Sequence, residues 1–162
     1  MRHPIIVVKG AVLFLLLFLA MSAPQACAQN QTPANVGPVA GVWTDPATGL
    51  TWTKADNGSD VNWNQASTYC SNLRLGEFSD WRLPTIDELQ AIYDPGIDIH
   101  GYWPNGTEAT WHVKGNLKPS GLHWSSTLKN AKEAWYFSFW NGNRYSYSLG
   151  NYSLFRALCV RR

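Results

Sequence analysis

Signatures of chemistry are what this chain lacks. It has no G-x-S-x-G elbow, no zincin helix and no phosphate loop. Cysteine is scarce, with three in 162 residues. Acid is almost missing from residues 111–162, where Glu133 stands alone against eight bases. The apolar run from Ala11 to Ala20 falls short of the roughly 20 residues that a membrane span needs. Together these absences argue against an enzyme, a metal protein and a spanning protein.

That apolar run reads instead as export. Arg2 and Lys9 precede it, and Ala26-Cys27-Ala28 follows as a small-residue cleavage site. Residues 1–28 are therefore expected to be a signal peptide, and residues 29–41, rich in Pro, Ala, Asn and Gly, a flexible lead. A lipoprotein reading would acylate Cys27, but Pro24 occupies a position that needs an apolar residue. Residues 42–162 suffice for one domain. The expected location is secreted, periplasmic or at the cell surface.

Cleavage leaves Cys70 and Cys159. In an oxidising compartment a disulfide is the default, with a catalytic or metal-bound thiol as the alternatives. All nine tryptophans lie beyond the signal, which suits both a compact core and a ligand-stacking surface.

Charge is balanced but unevenly placed. Residues 29–110 carry ten acids and three bases, Lys54, Arg74 and Arg82. The eight later bases are Lys114, Lys118, Lys129, Lys132, Arg144, Arg156, Arg161 and Arg162. Either they form a face for anionic polymers, or the two halves interleave and cancel.

Along the chain, Val42-Trp43-Thr44 and Leu50-Thr51-Trp52-Thr53 flank Asp45-Pro46-Ala47-Thr48-Gly49, which predicts a hairpin. Lys54 to Asp60 reads as a polar loop. Asn62 with Gln65 has capping-box spacing, and Trp63, Ala66, Tyr69, Cys70 and Leu73 share one face of the helix that follows. Gly76 is expected to end it. The stretch Asp80-Trp81-Arg82-Leu83-Pro84-Thr85-Ile86-Asp87-Glu88-Leu89 sends Trp81 and Leu83 into the core. Thr85 and Glu88 then cap a second helix reaching about Tyr93. Capping and pairing with Arg82 account for Asp80, Asp87 and Glu88 without an acid–base role.

Residues 94–121 show no clear period and read as a long irregular segment. Asp98, His100, Glu108, His112 and His123 match no zinc spacing, so no metal is expected. After them come a short strand at Trp124-Ser125-Ser126-Thr127 and a central strand at Ala134–Trp140. Asn141-Gly142 is a hairpin turn. In the next strand Tyr145, Tyr147 and Leu149 face away from Arg144, Ser146 and Ser148. A closing strand at Leu154–Val160 carries Cys159.

Several of these pieces recur as a pattern. Gly49-Leu50-Thr51-Trp52, Trp63-Asn64-Gln65-Ala66 with Tyr69-Cys70, and Asp80 to Thr85 with Glu88-Leu89 come first. Trp124 to Thr127, Ala134-Trp135-Tyr136 and Cys159-Val160-Arg161 follow in order. From about Val42 onward the chain resembles the Lcl C-terminal domain, the terminal domain of a bacterial collagen-like adhesin. The resemblance implies an α+β, C-type-lectin-like fold, shared with formylglycine-generating sulfatase modifiers. Two helices would pack on a mostly antiparallel sheet, with one disulfide from Cys70 to Cys159. It implies an adhesion module that binds sulfated glycosaminoglycans. The Trp-Asn-Asp motif of calcium-dependent lectins is absent, so neither calcium nor another cofactor is expected. Both cysteines that a sulfatase modifier would need are assigned to the bridge.

Trp140 to Phe155 also resembles the variable region of retroelement-diversified lectin-fold proteins, which favours Asn, Tyr, Ser and Arg. Such residues suit adaptable binding surfaces.

The expected function is binding of an extracellular glycan or protein, with an anionic or sulfated glycan foremost. The candidate contacts are Trp140, Arg144, Tyr145, Tyr147, Asn151 and Tyr152, with Lys129, Lys132, Arg161 and Arg162 for anionic groups. Nucleic acid is not expected as a partner, no stable membrane span is expected after signal cleavage, and the oligomeric state stays open.

Overall fold

A computed structural model describes residues 41–162. The expected signal segment, its Ala26-Cys27-Ala28 site and residues 29–40 of the lead lie outside the described residues. The described chain runs β1 (Val42–Thr44), β2 (Thr51–Thr53), α1 (Trp63–Asn72), α2 (Ile86–Ala91), β3 (Ile99–Tyr102) and β4 (Glu108–Trp111). It continues through β5 (Leu122–Asn130), β6 (Glu133–Ser138), β7 (Asn143–Ser148), β8 (Phe155–Arg156) and β9 (Val160–Arg161). This is an α+β arrangement in which sheet predominates.

The local signals act where they were read. Asn62 accepts the Gln65 N–H at 2.9 Å, and the Gln65 side chain accepts the Asn62 N–H at 2.9 Å. Thr85 and Glu88 repeat the exchange at 3.2 and 2.8 Å. Each pair satisfies two orphan donors of a helix start. The β1–β2 hairpin closes on Asp45, whose carboxylate accepts from the Ala47 N–H and the Thr48 hydroxyl.

Both helices end sooner than expected. The α1 helix stops at Asn72 because Leu73 turns extended. Gly76, at φ 62°, instead serves the tight turn that bridges Leu75 to Phe78. The α2 helix stops at Ala91 because Tyr93 is drawn into a bridge with Val113.

Three sheets result. Strands β1-β2-β9 form one, β3-β4 a second, and β7-β6-β5-β8 the third. All pairings are antiparallel except β5 with β8. Residues 94–121 are not irregular throughout, since they contain the β3–β4 hairpin. The strand at Trp124 is longer than expected and spans Leu122–Asn130. The closing segment is two strands rather than one. Leu154, at φ 69°, redirects the chain into β8, and β9 then joins the other sheet beside β2.

The four-stranded sheet separates two cores. Trp124, Ala134 and Phe155 pack with Ala66, Cys70, Trp81 and Leu83. Phe137 packs with Leu89, Ile92, Trp111 and Trp52 on the other side. Cys70 and Cys159 are bonded, with Cα atoms 5.5 Å apart, and tie α1 to the segment entering β9. Trp81 is buried, as its place before the helix entry predicts. The Arg82 backbone exchanges two hydrogen bonds of 2.9 Å with Val160, which anchors that entry to the last strand.

One glycine is held by space as well as by conformation. Gly115 has φ +73°, and a Cβ there would sit 2.2 Å from the Trp43 ring. Gly115→Ala is expected to cost at least about 2 kcal/mol, combining left-handed strain with overpacking. Gly58→Ala, at φ +68° with nothing within 4 Å, should cost only the strain of roughly 1 kcal/mol. Urea unfolding of the two variants reads the difference, and equal losses would refute the close packing at Trp43.

Candidate functional site

Alternation along β7 decides what its side chains meet. The register pairs Tyr145 with Tyr136, Tyr147 with Ala134 and Arg144 with Phe137. Tyr145 and Tyr147 therefore lie on the sheet face that carries Trp124, while Arg144 lies on the face packed against α2. Tyr145 stacks on Tyr136 with centroids 5.5 Å apart, and Tyr147 stacks on Phe155 at 6.1 Å. Half of Tyr147 still faces solvent. The Tyr145 hydroxyl accepts from the side-chain amides of Asn141 and Asn143. Burial, and then the neighbouring Tyr145 and Tyr147, push the Tyr136 phenol above its ordinary pKa.

The ten nominated contacts fall into separate places. Lys132, Tyr147, Asn151 and Tyr152 gather at one end of the four-stranded sheet. The Leu149 N–H bonds the Lys132 carbonyl at 3.0 Å, and the Asn151 N–H bonds the Ser148 carbonyl at 3.0 Å. Tyr152 is 62% exposed. Lys129 is nearby, but it donates to the Ser146 hydroxyl at 2.9 Å, approaches Glu133 at 3.7 Å and lies over the Trp135 ring. Trp140 stands past the far end of β6. Arg161 and Arg162 belong to the β1-β2-β9 sheet and its end.

Most of the arginines are already paired. Arg144 bonds Asp87 at 2.7 Å and also reaches Gln90. Arg161 bonds Asp80 at 2.7 Å and lies 3.7 Å over the Phe78 ring. Arg156, nearly fully buried, bonds Asp60. Each pair joins the acidic half to the basic half, so at these arginines the charges interleave. The capping and Arg82 pairing expected of Asp80, Asp87 and Glu88 both hold for Glu88, which closes the Thr85 cap and meets Arg82 through contacts of 2.6 and 2.7 Å. Asp87 stands in the first turn of α2 but pairs with Arg144, and Asp80 pairs with Arg161. The Arg161 guanidinium holds the Asp80 carboxyl below its ordinary pKa.

A cleft of about 620 Å³ that sequence reasoning missed lies on the outer face of β3–β4. His100, Tyr102, Glu108, Thr110, His112 and Trp140 line it. The register places His100 opposite Thr110 and Tyr102 opposite Glu108, so these four side chains share a face. Ile99, Trp103, Ala109 and Trp111 pack inward on the main core. Trp140 meets Trp103 edge-on at 6.4 Å, and Trp103 meets the buried Trp111 at 4.7 Å. The exposed indole is thus braced by a row of rings leading into the core. His112 Nδ1 lies 3.0 Å from the Ile97 carbonyl and 3.2 Å from Asp98. The findable signal was Pro104-Asn105-Gly106 between two short alternating segments.

His123 stands apart from the other histidines. It is fully buried, with Nε2 3.2 Å from Asp56, and Asp56 also accepts from the Ser120 N–H and hydroxyl. Arg156 donates to the Ser120 hydroxyl at 3.1 Å. This polar network ties the loop after β2 to the approach of β5.

Among the described residues no helix is long and apolar enough to cross a membrane. No curated protein matches the chain. The Lcl C-terminal domain family matches residues 41–161. Three quarters of the sequence, including both bridged cysteines, both capping boxes and every described strand, fall within that match, and the chain belongs to the Lcl C-terminal domain family.

Proposed function

We propose that this chain is an exported adhesion module, without catalytic activity, that binds an extracellular glycan at the Lys132 end of the four-stranded sheet. A C-type-lectin-like fold is part of that reading. The observation that carries it is the gathering of the exposed Tyr147 and Tyr152 with Asn151 and Lys132 around the exit from β7. Aromatic faces stack on sugar rings, an amide bonds their hydroxyls, and an ammonium pairs with carboxylate or sulfate. An acidic or sulfated glycan is the ligand class proposed. Arg144 and Arg161 would have to leave carboxylate partners to join in, so the contact is local rather than a long basic track. An array of acidic, sulfated and neutral glycans, read at low and moderate salt, tests this. Retention of acidic or sulfated glycans, weakening with salt, is expected. Binding to none of them would refute the ligand class.

A second reading rests on the same surface. Asn143, Arg144, Tyr145, Tyr147 and Tyr152 are all exposed, and they are residue types favoured in retroelement-diversified binding regions. A template repeat and a reverse-transcriptase gene beside the coding sequence would support diversification. Their absence would remove it.

A further inference from the structure

We infer that the β3–β4 cleft is a second binding site, for a neutral pyranose oligosaccharide. This goes beyond the sheet-end site, lying past the opposite end of β6 and using different chemistry. Its volume of about 620 Å³ is in the ordinary range for ligand clefts. Neither Lys nor Arg lines it, whereas Glu108 lines it and Asp98 stands beside His112. A sulfated or carboxylated chain would meet the like charge of Glu108 there and neither lysine nor arginine to pair with. A neutral sugar would not.

The lining matches what sugar rings present. Trp140, 53% exposed, and Tyr102, 61% exposed, offer flat apolar faces for C–H surfaces. The row Trp140–Trp103–Trp111 holds the indole in place before a ligand arrives, which lowers the ordering cost of binding. Glu108 accepts from sugar hydroxyls, while the Thr110 and Tyr102 hydroxyls both donate and accept. Where His112 Nδ1–H donates to the Ile97 carbonyl, its Nε2 is left as a further acceptor. A metal ion fits less well, because among the described residues no three His, Cys, Asp or Glu side chains converge as ligands.

The test is titration of the purified chain with cellohexaose, chitohexaose, xylohexaose and mannohexaose, followed by calorimetry and tryptophan fluorescence. At least one is expected to bind, with affinity changing less than about twofold between roughly 50 and 500 mM NaCl. Trp140→Ala and Glu108→Gln should each weaken it about tenfold or more, equivalent to about 1.4 kcal/mol. Their near-UV circular dichroism should show an intact fold. Lys132→Ala/Tyr147→Ala should leave this binding unchanged, which separates the cleft from the sheet-end site. Failure of all four hexasaccharides to bind would overturn the inference. So would binding that survives both cleft variants, or binding lost to Lys132→Ala/Tyr147→Ala.

Discussion

Replacing Cys70 and Cys159 together with alanine is expected to lower stability by about 4 kcal/mol. The two residues are 89 apart in sequence, so the bridge removes a large loop from the unfolded ensemble. Both are fully buried, and the bond joins α1 to the segment where the chain crosses from β8 to β9. Hydrogen bonds of comparable reach also hold that crossing: the Ala157 N–H donates to the Asn57 side-chain oxygen at 2.7 Å, and the Asn57 N–H donates to the Ala157 carbonyl at 3.0 Å. The Cys159 N–H donates to the Thr53 hydroxyl at 3.2 Å, and the Thr53 N–H donates to the Cys159 carbonyl at 3.0 Å. Those bonds fix the backbone locally but do not shorten the unfolded chain. Urea unfolding of the oxidised chain, the reduced chain and the double variant tests this. The last two should have similar, much lower midpoints. A reduced chain as stable as the oxidised one would show that the bridge contributes little.

The second large effect is expected at Asp56. Asp56→Ala should cost about 3–5 kcal/mol, because it removes a nearly buried carboxylate from the fully buried His123. His123 Nε2 and the Ser120 N–H and hydroxyl would lose their acceptor, and the Gly58 N–H, which donates at 3.0 Å, would lose its own. His123 Nδ1 already has no partner among the protein atoms, so the site has no reserve of hydrogen bonds. Asp56→Asn should cost less, since the amide keeps one acceptor oxygen.

The pH dependence follows from the same contacts. Burial pushes the Asp56 carboxyl up, but the hydrogen bond and charge of His123, with the N–H groups of Gly58 and Ser120, more than reverse this. The net pKa lies below the ordinary value of 3.8. A carboxyl depressed on folding contributes stability that is fully present above its unfolded pKa and lost as pH falls through the folded one. Glu88 has the same sign. Burial raises it, and the Arg82 and Thr85 contacts outweigh the burial. Stability should therefore be flat from neutral pH down to about pH 5 and fall below about pH 4. Asp56→Asn should flatten part of that fall. Denaturation midpoints measured across this range read it directly, and an acid slope unchanged by Asp56→Asn would contradict the assignment.

What could be read from sequence was mostly local. Asn62 with Gln65, and Thr85 with Glu88, are three residues apart, so their geometry is written into adjacent side chains. Asn141-Gly142 likewise marks the β6–β7 turn, with Gly142 at φ 71°, but the connection takes four residues, 139–142, so the strand expected over Ala134–Trp140 ends at Ser138. The alternation of Tyr145 and Tyr147 against Arg144 was legible, but the partners were not. Arg144 meets Asp87, and Arg161 meets Asp80, only because distant elements pack together. The β3–β4 hairpin escaped notice because each strand has four residues and Gly101 interrupts one inward row. Gly101 is required there, since a Cβ would come within 2.9 Å of the Trp111 indole nitrogen. The outer face of that hairpin, and with it the cleft, was invisible for the same reason. The parallel pairing of β8 with β5 has no local signature at all.

The stretch from Asp80 to Leu89 takes a structural place in this account. Trp81 is buried, Arg82 is bound to Val160 and Glu88, and Asp80 is held by Arg161. It fixes the entry of α2 and the position of the last strand, and leaves recognition to surfaces elsewhere.

The most direct test is equilibrium binding of a sulfated glycosaminoglycan octasaccharide to the chain and to its Lys132→Ala/Tyr147→Ala variant. Binding that weakens about tenfold or more in the variant, with the fold intact, is the predicted result. Equal binding by the two proteins, or none by the unaltered chain, would contradict recognition at the Lys132 end of the sheet.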